Sequence, residues 1–288
     1  MIKIKRINYK LKIIQPNAIE LVQGQGFDGM LKHIELCGRT CYKSEDKITE
    51  DSCHRFVNML REHAHGAMLE HGTVYLEIPN EDIFKANDVV KELQLVTGRW
   101  ARLASIVREP LPYSKTTFSD NSVCIATNYR VIVENDIEWL MEEYQCAPTE
   151  HHYKRRTFKI TCNRGVSHEF VRHRVFSFAQ ESQRYVNYSK DKYGKEIKVI
   201  KPLYFNDENS MKYILWEKGC EDSESVYFCL LSNGATPQEA REVLPNACAT
   251  ELIMTGFESD WEHFFDLRCA KDAHPQAQEI ANMIKEQF

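Results

Sequence analysis

Arg172-His173-Arg174-Val175-Phe176-Ser177-Phe178-Ala179-Gln180-Glu181-Ser182-Gln183-Arg184-Tyr185 packs more chemistry into fourteen residues than any other part of the chain. Between Lys154 and Arg184 the bases are Lys154, Arg155, Arg156, Lys159, Arg164, Arg172, Arg174 and Arg184, joined by His173, against only Glu169 and Glu181 as acids. The whole chain is acidic, with a formal net charge of -5. A knot of cations in an acidic protein suits a pocket for a compact anion, because nucleic acid asks for a broad basic face. Arginine fits that task, since its planar fork grips phosphate or carboxylate oxygens in pairs.

The spacing predicts local geometry. Ser167 can cap a helix running from His168 to about Phe178, its hydroxyl accepting a free backbone N–H. Val171, Val175 and Phe178 then recur at i, i+4, i+7 and face a core, while Glu169, Arg172 and His173 share another face. Ser182 and Arg184, two apart, point the same way in extended chain and could grip a phosphate together. The alternative is a solvated cationic helix face with an Arg–Glu pair.

The segment resembles the signature of the flavin-dependent thymidylate synthases: Arg-His-Arg, two residues, Ser, then Ser-x-Arg-Tyr. Arg172, His173, Arg174, Ser177, Ser182, Arg184 and Tyr185 meet every fixed position. Ala179-Gln180 departs from it, since many members carry Asn-Glu there. Elsewhere the chain also resembles the family. Ala64-His65-Gly66-Ala67-Met68-Leu69-Glu70-His71 is similar to its Gly/His-rich turn before a strand at Thr73-Val74-Tyr75-Leu76. Arg241-Glu242-Val243-Leu244-Pro245 matches its Arg-x-x-Leu-Pro element, and Thr255-Gly256 and Leu267-Arg268 follow at similar spacing. The likeness covers about residues 30–78 and 155–288, and an insertion is read at about 79–153 within a single 1–288 domain.

The resemblance implies conversion of dUMP to dTMP, with 5,10-methylenetetrahydrofolate as carbon donor and FAD, reduced by NADPH, as hydride donor. It implies that Glu169, Arg172, Gln180, Glu181, Ser182, Gln183, Arg184 and Arg241 bind dUMP, with Ser182, Gln183 and Arg184 on its phosphate. Arg268 would contact the uracil and favour its ionised form, as the catalytic residue. FAD would meet His65, Ala67, Arg172, His173, Arg174, Gln180, Phe257 and His263. Sites shared between subunits of a homotetramer are implied too. Phe257-Glu258-Ser259 stands where many members have Asn-x-Arg, which replaces two polar contacts.

Helix signals in the C-terminal third stand on physics alone. Thr236-Pro237-Gln238-Glu239 is a capping box with Pro at the first helical position, and Ser259-Asp260-Trp261-Glu262 repeats the pattern. Behind the second, Trp261, Phe264, Phe265 and Arg268 fall on one stripe. An arginine on an apolar stripe either snorkels out at the helix end or meets a ligand. The resemblance favours the ligand.

With 288 residues, 43% of them hydrophobic, the chain can bury a large core. Strand signals recur at Ile2–Ile14, Thr73–Ile78, Val123–Val133 and Thr157–Cys162. Helices are expected near Met30–Cys37, Glu50–His63, Asn80–Leu95 and Trp139–Tyr144, and Ser189–Glu196 reads as a hairpin tip around Gly194. Strands mixed with segregated helices predict α+β, with a central mixed, mainly antiparallel sheet flanked by helices. No segment has the apolar length of a membrane span, and no apolar run follows Met1-Ile2-Lys3-Ile4-Lys5-Arg6 to make a signal peptide. A cytoplasmic protein is expected, with no nucleic acid, membrane or metal partner. The ten cysteines are dispersed without a Cys-x-x-Cys pair, so reduced thiols are expected. None is marked as a nucleophile, and Cys248 is the nearest candidate.

Two patterns point elsewhere. Gly24-Gln25-Gly26-Phe27-Asp28-Gly29 is a literal G-x-G-x-x-G, which signals a dinucleotide only inside a strand–helix–strand crossover. Arg39–Asp51, beyond the helix, is polar and strandless. His63, His65 and His71, or His151-His152, could suggest a metal if a third ligand converged. These features keep two other classes in view: an NAD(P)-dependent oxidoreductase on the glycine run, and a non-catalytic nucleotide- or RNA-binding module on the basic knot. The acidic net charge argues against the module.

Overall fold

A computed structural model describes residues 11–106, 108–190 and 194–288. The main sheet is four-stranded and antiparallel, in the order β2-β6-β9-β7, formed by β2 (Asn17–Glu20), β6 (Arg155–Asn163), β9 (Ala249–Phe257) and β7 (Ser177–Gln180). β9 is a central strand with both faces covered. Leu252 and Met254 pack with α8 (Arg164–Phe170), α11 (Glu258–Arg268) and α12 (Pro275–Lys285), while Ile253 meets Ala179 and Cys37 of α1 (Gly26–Tyr42) on the other face. Burial on both sides explains why Leu252-Ile253-Met254 at its centre is a continuous apolar run and not an alternation.

A second antiparallel sheet, β3-β5-β4, joins β3 (Thr73–Pro79), β5 (Ser122–Asn128) and β4 (Lys115–Phe118). It shares a core with α1, α2 (Ser52–Glu62), α4 (Asn80–Leu93), α5 (Arg99–Ile106), α6 (Tyr129–Glu134) and α7 (Trp139–Tyr144). The short α3 (Gly66–Leu69) leads into β3. A short parallel pair, β1 (Lys12–Ile14) with β8 (Lys198–Ile200), lies near the long α9 (Met211–Ser232) and the four-residue α10 (Pro237–Ala240). The fold is α+β, with mainly antiparallel sheets flanked by helices.

Several expectations need correction. The helix read from Ser167 to Phe178 is α8, which starts earlier and ends at Phe170. Its cap is Asn163, whose Oδ1 accepts from Val166 N–H at 2.8 Å, and Ser167 sits inside it. Ser177–Gln180 is strand, paired with β9 from Ser177↔Thr255 to Gln180↔Leu252. Val171 and Val175 are therefore exposed and not core-facing. Phe176 decides the matter. Its ring fills the space above Gly256, where a Cβ would lie 2.5 Å from Phe176 Cδ1. A tertiary slot and an open β9 edge outweigh the i, i+4 pattern.

Val123–Val133 divides where the Asn128 side chain accepts from Val131 N–H at 3.2 Å, ending β5 and starting α6. The Glu239 carboxylate accepts from Thr236 N–H at 2.7 Å, as the capping box predicts, and also from the Thr236 hydroxyl at 2.8 Å. In the second box the helix begins at Glu258 and not after Ser259. Asp260 Oδ2 reaches back to Phe257 N–H at 3.1 Å. Residues 2–10 of the N-terminal strand signal and 191–193 of the proposed hairpin tip lie outside the described residues. Gly24–Gly29 runs from the loop after β2 into the first turn of α1, but β2 pairs antiparallel with β6 and a second helix follows α1, so there is no crossover. Close packing explains Gly24 and Gly29, since a Cβ on Gly29 would lie 2.3 Å from the Gly24 carbonyl, while Gly26 takes a left-handed φ of 71°. No helix among the described residues is long and apolar enough to cross a membrane.

Candidate active site

α8 and α11 lie against the same face of the main sheet, which brings Glu169 and Arg268 together from opposite ends of the segment 164–268. The Arg268 guanidinium is held three ways. Nη1 donates to Glu169 Oε2 at 2.6 Å, Nη2 to the Glu169 carbonyl at 2.9 Å, and Nε to His173 Nε2 at 2.9 Å. The last contact requires His173 Nε2 to be an acceptor, hence a neutral ring. Burial, then the Arg268 charge and His263, pull the His173 pKa down to about 4. Phe264 buttresses the ring edge-on at 5.0 Å. Arg268 therefore neither snorkels free nor sits unpaired. It is a partly buried cation fixed in orientation.

The turn between α8 and β7 carries Arg172 and Arg174, both exposed and without a carboxylate in ion-pair distance among the described residues. Gln180, on β7, donates from Nε2 to Ser167 Oγ at 2.9 Å. Beyond it Ser182 and Arg184 are not in extended chain. Ser182 Oγ accepts from Arg184 N–H at 3.3 Å, and Val186 N–H closes a turn onto the Ser182 carbonyl at 3.1 Å. The two side chains therefore do not share a strand face. Arg184 lies over the Tyr185 ring at 5.2 Å, and its Nε donates to Gln238 Oε1 of α10 at 2.9 Å. That contact brings the α10 element beside Arg184, with Arg241 following Gln238 three residues on in the chain.

Glu181 points elsewhere. It is buried, accepts from Tyr188 OH at 2.8 Å and lies 3.6 Å from Lys43 Nζ. With Gln183 and Cys248 it lines a cavity of about 670 Å³ whose floor holds Glu251 between Lys43 (2.5 Å) and Lys159 (2.9 Å). Burial works against the Glu251 charge, but the two lysines outweigh it and hold the carboxyl below its usual range. Another cavity of about 670 Å³ opens between the two sheets, lined by Arg174 and Phe257 together with Lys115 and Arg155. His65, Ala67 and His263 are exposed, away from both linings.

Comparison with known families gives a match to the model described as thymidylate synthase complementing protein, over residues 114–288. That is more than half of the chain. The chain belongs to this family. The match starts inside the 79–153 stretch. Among curated relatives, it is 29% identical over 163 residues to a flavin-dependent thymidylate synthase of Pyrococcus furiosus, covering 55% of this chain and 66% of that protein. Against the enzyme of that name in Geobacter sulfurreducens the identity is 32% over 119 residues, covering 41% and 49%. For the Mycobacterium tuberculosis protein it is 31% over 141 residues, covering 43% and 54%. The chain thus spans from about half to just under two thirds of the length of these relatives. A solved UMP/dUMP methylase of Streptomyces cacaoi superposes with a TM-score of 0.42 at 15% identity, over 96% of this chain and 91% of that one.

In this member of the thymidylate synthase complementing family, the structure brings Glu169, His173 and Arg268 into one cluster and Arg184 with the α10 element into a second. Glu181 and Gln183 join a third group, Arg174 and Phe257 a fourth. Sequence reasoning missed Lys43, Lys115, Tyr188 and Glu251. Lys43, Lys115 and Glu251 reach their sites from a helix end or a strand distant in sequence, and Tyr188 folds back onto Glu181 from the loop after it, so no local pattern marks them. Arg155 and Lys159 were counted in the basic knot, but nothing local assigned Arg155 to a cavity wall or Lys159 to Glu251. The histidine pattern resolves into structure: His71 Nδ1 hydrogen-bonds Thr255 Oγ1 at 2.8 Å and His63 Nδ1 the Met59 carbonyl at 2.9 Å. Among the described residues no group of three or more His, Cys, Asp or Glu could hold a metal.

Proposed function

We propose that this protein is a flavin-dependent thymidylate synthase, which methylates dUMP to dTMP with 5,10-methylenetetrahydrofolate as carbon donor and NADPH-reduced FAD as hydride donor. The observation that carries the reading is the Arg268 guanidinium, locked by Glu169 and a neutral His173 beside the Arg-His-Arg turn. A rigid cation so placed stabilises negative charge developing on a uracil ring at no reorganisation cost. Neutral His173 keeps that charge on one residue while fixing its direction.

Arg184, Arg241, Ser182 and Gln183 would take the nucleotide phosphate, each guanidinium contributing charge-assisted bonds of about 1.5–3 kcal/mol. Glu169, Arg172, Gln180 and Glu181 complete the proposed dUMP set. Arg172, His173, Arg174, Gln180 and Phe257 would meet FAD, with His65, Ala67 and His263. The donor set fits an anionic cofactor. Two guanidiniums of the turn lack carboxylate partners among the described residues, and Arg155 Nε is buried without a hydrogen-bond partner. When bound, the flavin supplies the hydride, so the protein needs only to bind, orient and polarise. That accords with Cys248, whose thiol burial pushes up to about 12, far from a thiolate nucleophile.

A cytoplasmic homotetramer with shared sites goes with this reading. Val175 (63% exposed) and Tyr185 (59%) flank the basic turn on the single chain and would find cover in a partner. Residues 1–288 would form one domain, with about 79–153 added to it. The test is dTMP formation from dUMP with methylenetetrahydrofolate, FAD and NADPH, each omitted in turn. Product that needs all four supports the proposal. Product formed without flavin, or none with all four present, would overturn it.

A further inference from the structure

The cavity between the two sheets holds more positive charge than its own carboxylates offset. Its cations are Lys115, Arg130, Arg155 and Arg174; its carboxylates are Glu70, Glu134 and Asp260. Arg130 consumes two of these, with Nη1 2.7 Å from Glu70 Oε1 and Nε 2.7 Å from Glu134 Oε1. Among the described residues the Arg155 guanidinium donates only to neutral oxygens: Thr73 Oγ1 at 3.3 Å, the Thr127 carbonyl at 3.5 Å and the Glu70 carbonyl at 3.1 Å. Burial pulls its pKa down to about 10. A desolvated guanidinium facing neutral oxygens is costly unless an anion completes the site.

Lys115 comes from β4, the edge strand of the second sheet, and crosses the gap. Its ammonium hydrogen-bonds Ser259 Oγ, lies 4.7 Å from the Phe257 ring centroid and stays 3.9 Å from Asp260. Phe257 thus sits between Lys115 and Arg155, whose guanidinium is 5.5 Å from the same ring. The cavity also adjoins the Arg268 cluster. Phe176 lines it, and the His173 ring lies 6.3 Å from Phe176 on the way to Arg268. One turn therefore offers His173 to the Arg268 side and Arg174 to the cavity.

We propose that this cavity takes the diphosphate of the flavin dinucleotide, with Lys115 of the second sheet and Arg155 of β6 joining Arg174 as its cationic ligands. The inference rests on the flavin reading above. It gives Lys115, inside the 79–153 stretch, a task, which is to supply a cation beside Phe257-Glu258-Ser259. A volume of about 670 Å³ is in the range of small-molecule sites. Folate carboxylates share the anionic chemistry, so the test separates the two sources.

The full-length protein and its Lys115→Ala, Lys115→Met and Lys115→Arg variants are titrated with FAD, riboflavin and methylenetetrahydrofolate, with binding read from flavin fluorescence quenching and from calorimetry. Lys115→Met keeps the aliphatic stem should Lys115→Ala fold poorly, and circular dichroism checks each variant. Lys115→Ala and Lys115→Met should weaken FAD by roughly ten- to a hundredfold, the value of one charge-assisted contact. Riboflavin and folate affinities should hold, and Lys115→Arg should retain most of the FAD affinity. Unchanged FAD affinity, equal losses for FAD and riboflavin, or a loss confined to folate would overturn the proposal. Wild-type protein that takes up no flavin would overturn the flavin reading itself, and this inference with it.

Discussion

At the residue scale the account depends on Arg268. Removing it strips the proposed charge stabiliser and leaves Glu169 without its cation, but the helix end is partly exposed and the aromatic stripe behind it is untouched. Arg268→Ala should therefore lower dTMP formation by about a hundred- to a thousandfold, the scale of a lost transition-state donor, while the protein still folds and retains flavin. Near-normal turnover would remove Arg268 from the chemistry. Cys248→Ser is the converse case. With its thiol buried and held near 12, the variant should keep measurable turnover and wild-type substrates should leave no covalent adduct by mass spectrometry. Arg268 was legible from the sequence as a charge out of place on an apolar stripe. Its partners were only partly so, because Glu169 and His173 lie nearly a hundred residues away and the sequence has no means of expressing the crossing of α8 and α11.

Elements are governed here by contacts between strands and helices more than by local periodicity. β7 was misread as helix since Val171, Val175 and Phe178 recur at helical spacing, whereas pairing with β9 and the Phe176 slot above Gly256 decide the outcome. That slot is tight. Phe176 is also packed against Trp261 at 4.5 Å, so it has little room to retreat. Gly256→Ala should destabilise the protein by about 1–3 kcal/mol, as overpacking does, seen as a lower denaturation midpoint in urea. An unchanged midpoint would mean the ring moves freely. Capping was legible at Thr236–Glu239, where Thr, Pro and Glu spell out the box in consecutive residues. It failed at Asn163, where Ser167 offered a competing signal one turn later.

Across the whole molecule, a buried polar chain ties the layers together. His33 Nε2 meets Thr157 Oγ1 at 3.1 Å, Thr157 Oγ1 meets Thr255 Oγ1 at 2.8 Å, and Thr255 meets His71. Burial first, then nearby positive charge from Arg155, depresses His33 to about 4 and, with His33 itself, His71 to about 3. His173 is likewise at about 4. These folded-state values lie below the ordinary value near 6.5, so the unfolded chain binds more protons between them. Stability is fully present above about pH 6.5 and falls as pH drops toward 4, by up to about 1.4 kcal/mol per pH unit for each group. The melting temperature should fall steeply over that window, and His33→Gln should flatten the slope. A flat profile would mean these rings are solvated. The α+β class and four of the nine described strands (β1, β3, β5 and β6) were legible from composition and pattern, but β2, β4, β7, β8, the central β9 and the partition of the site into separate cavities were not. The partition arises from two sheets meeting, which no single segment encodes.

The central claim is that nucleotide and flavin act in one coupled site. The most direct measurement is the visible spectrum of the purified protein after incubation with FAD and desalting, followed anaerobically as NADPH is added with and without dUMP. The account predicts retained flavin absorbance that bleaches faster when dUMP is present. A colourless protein, or bleaching indifferent to dUMP, would contradict it.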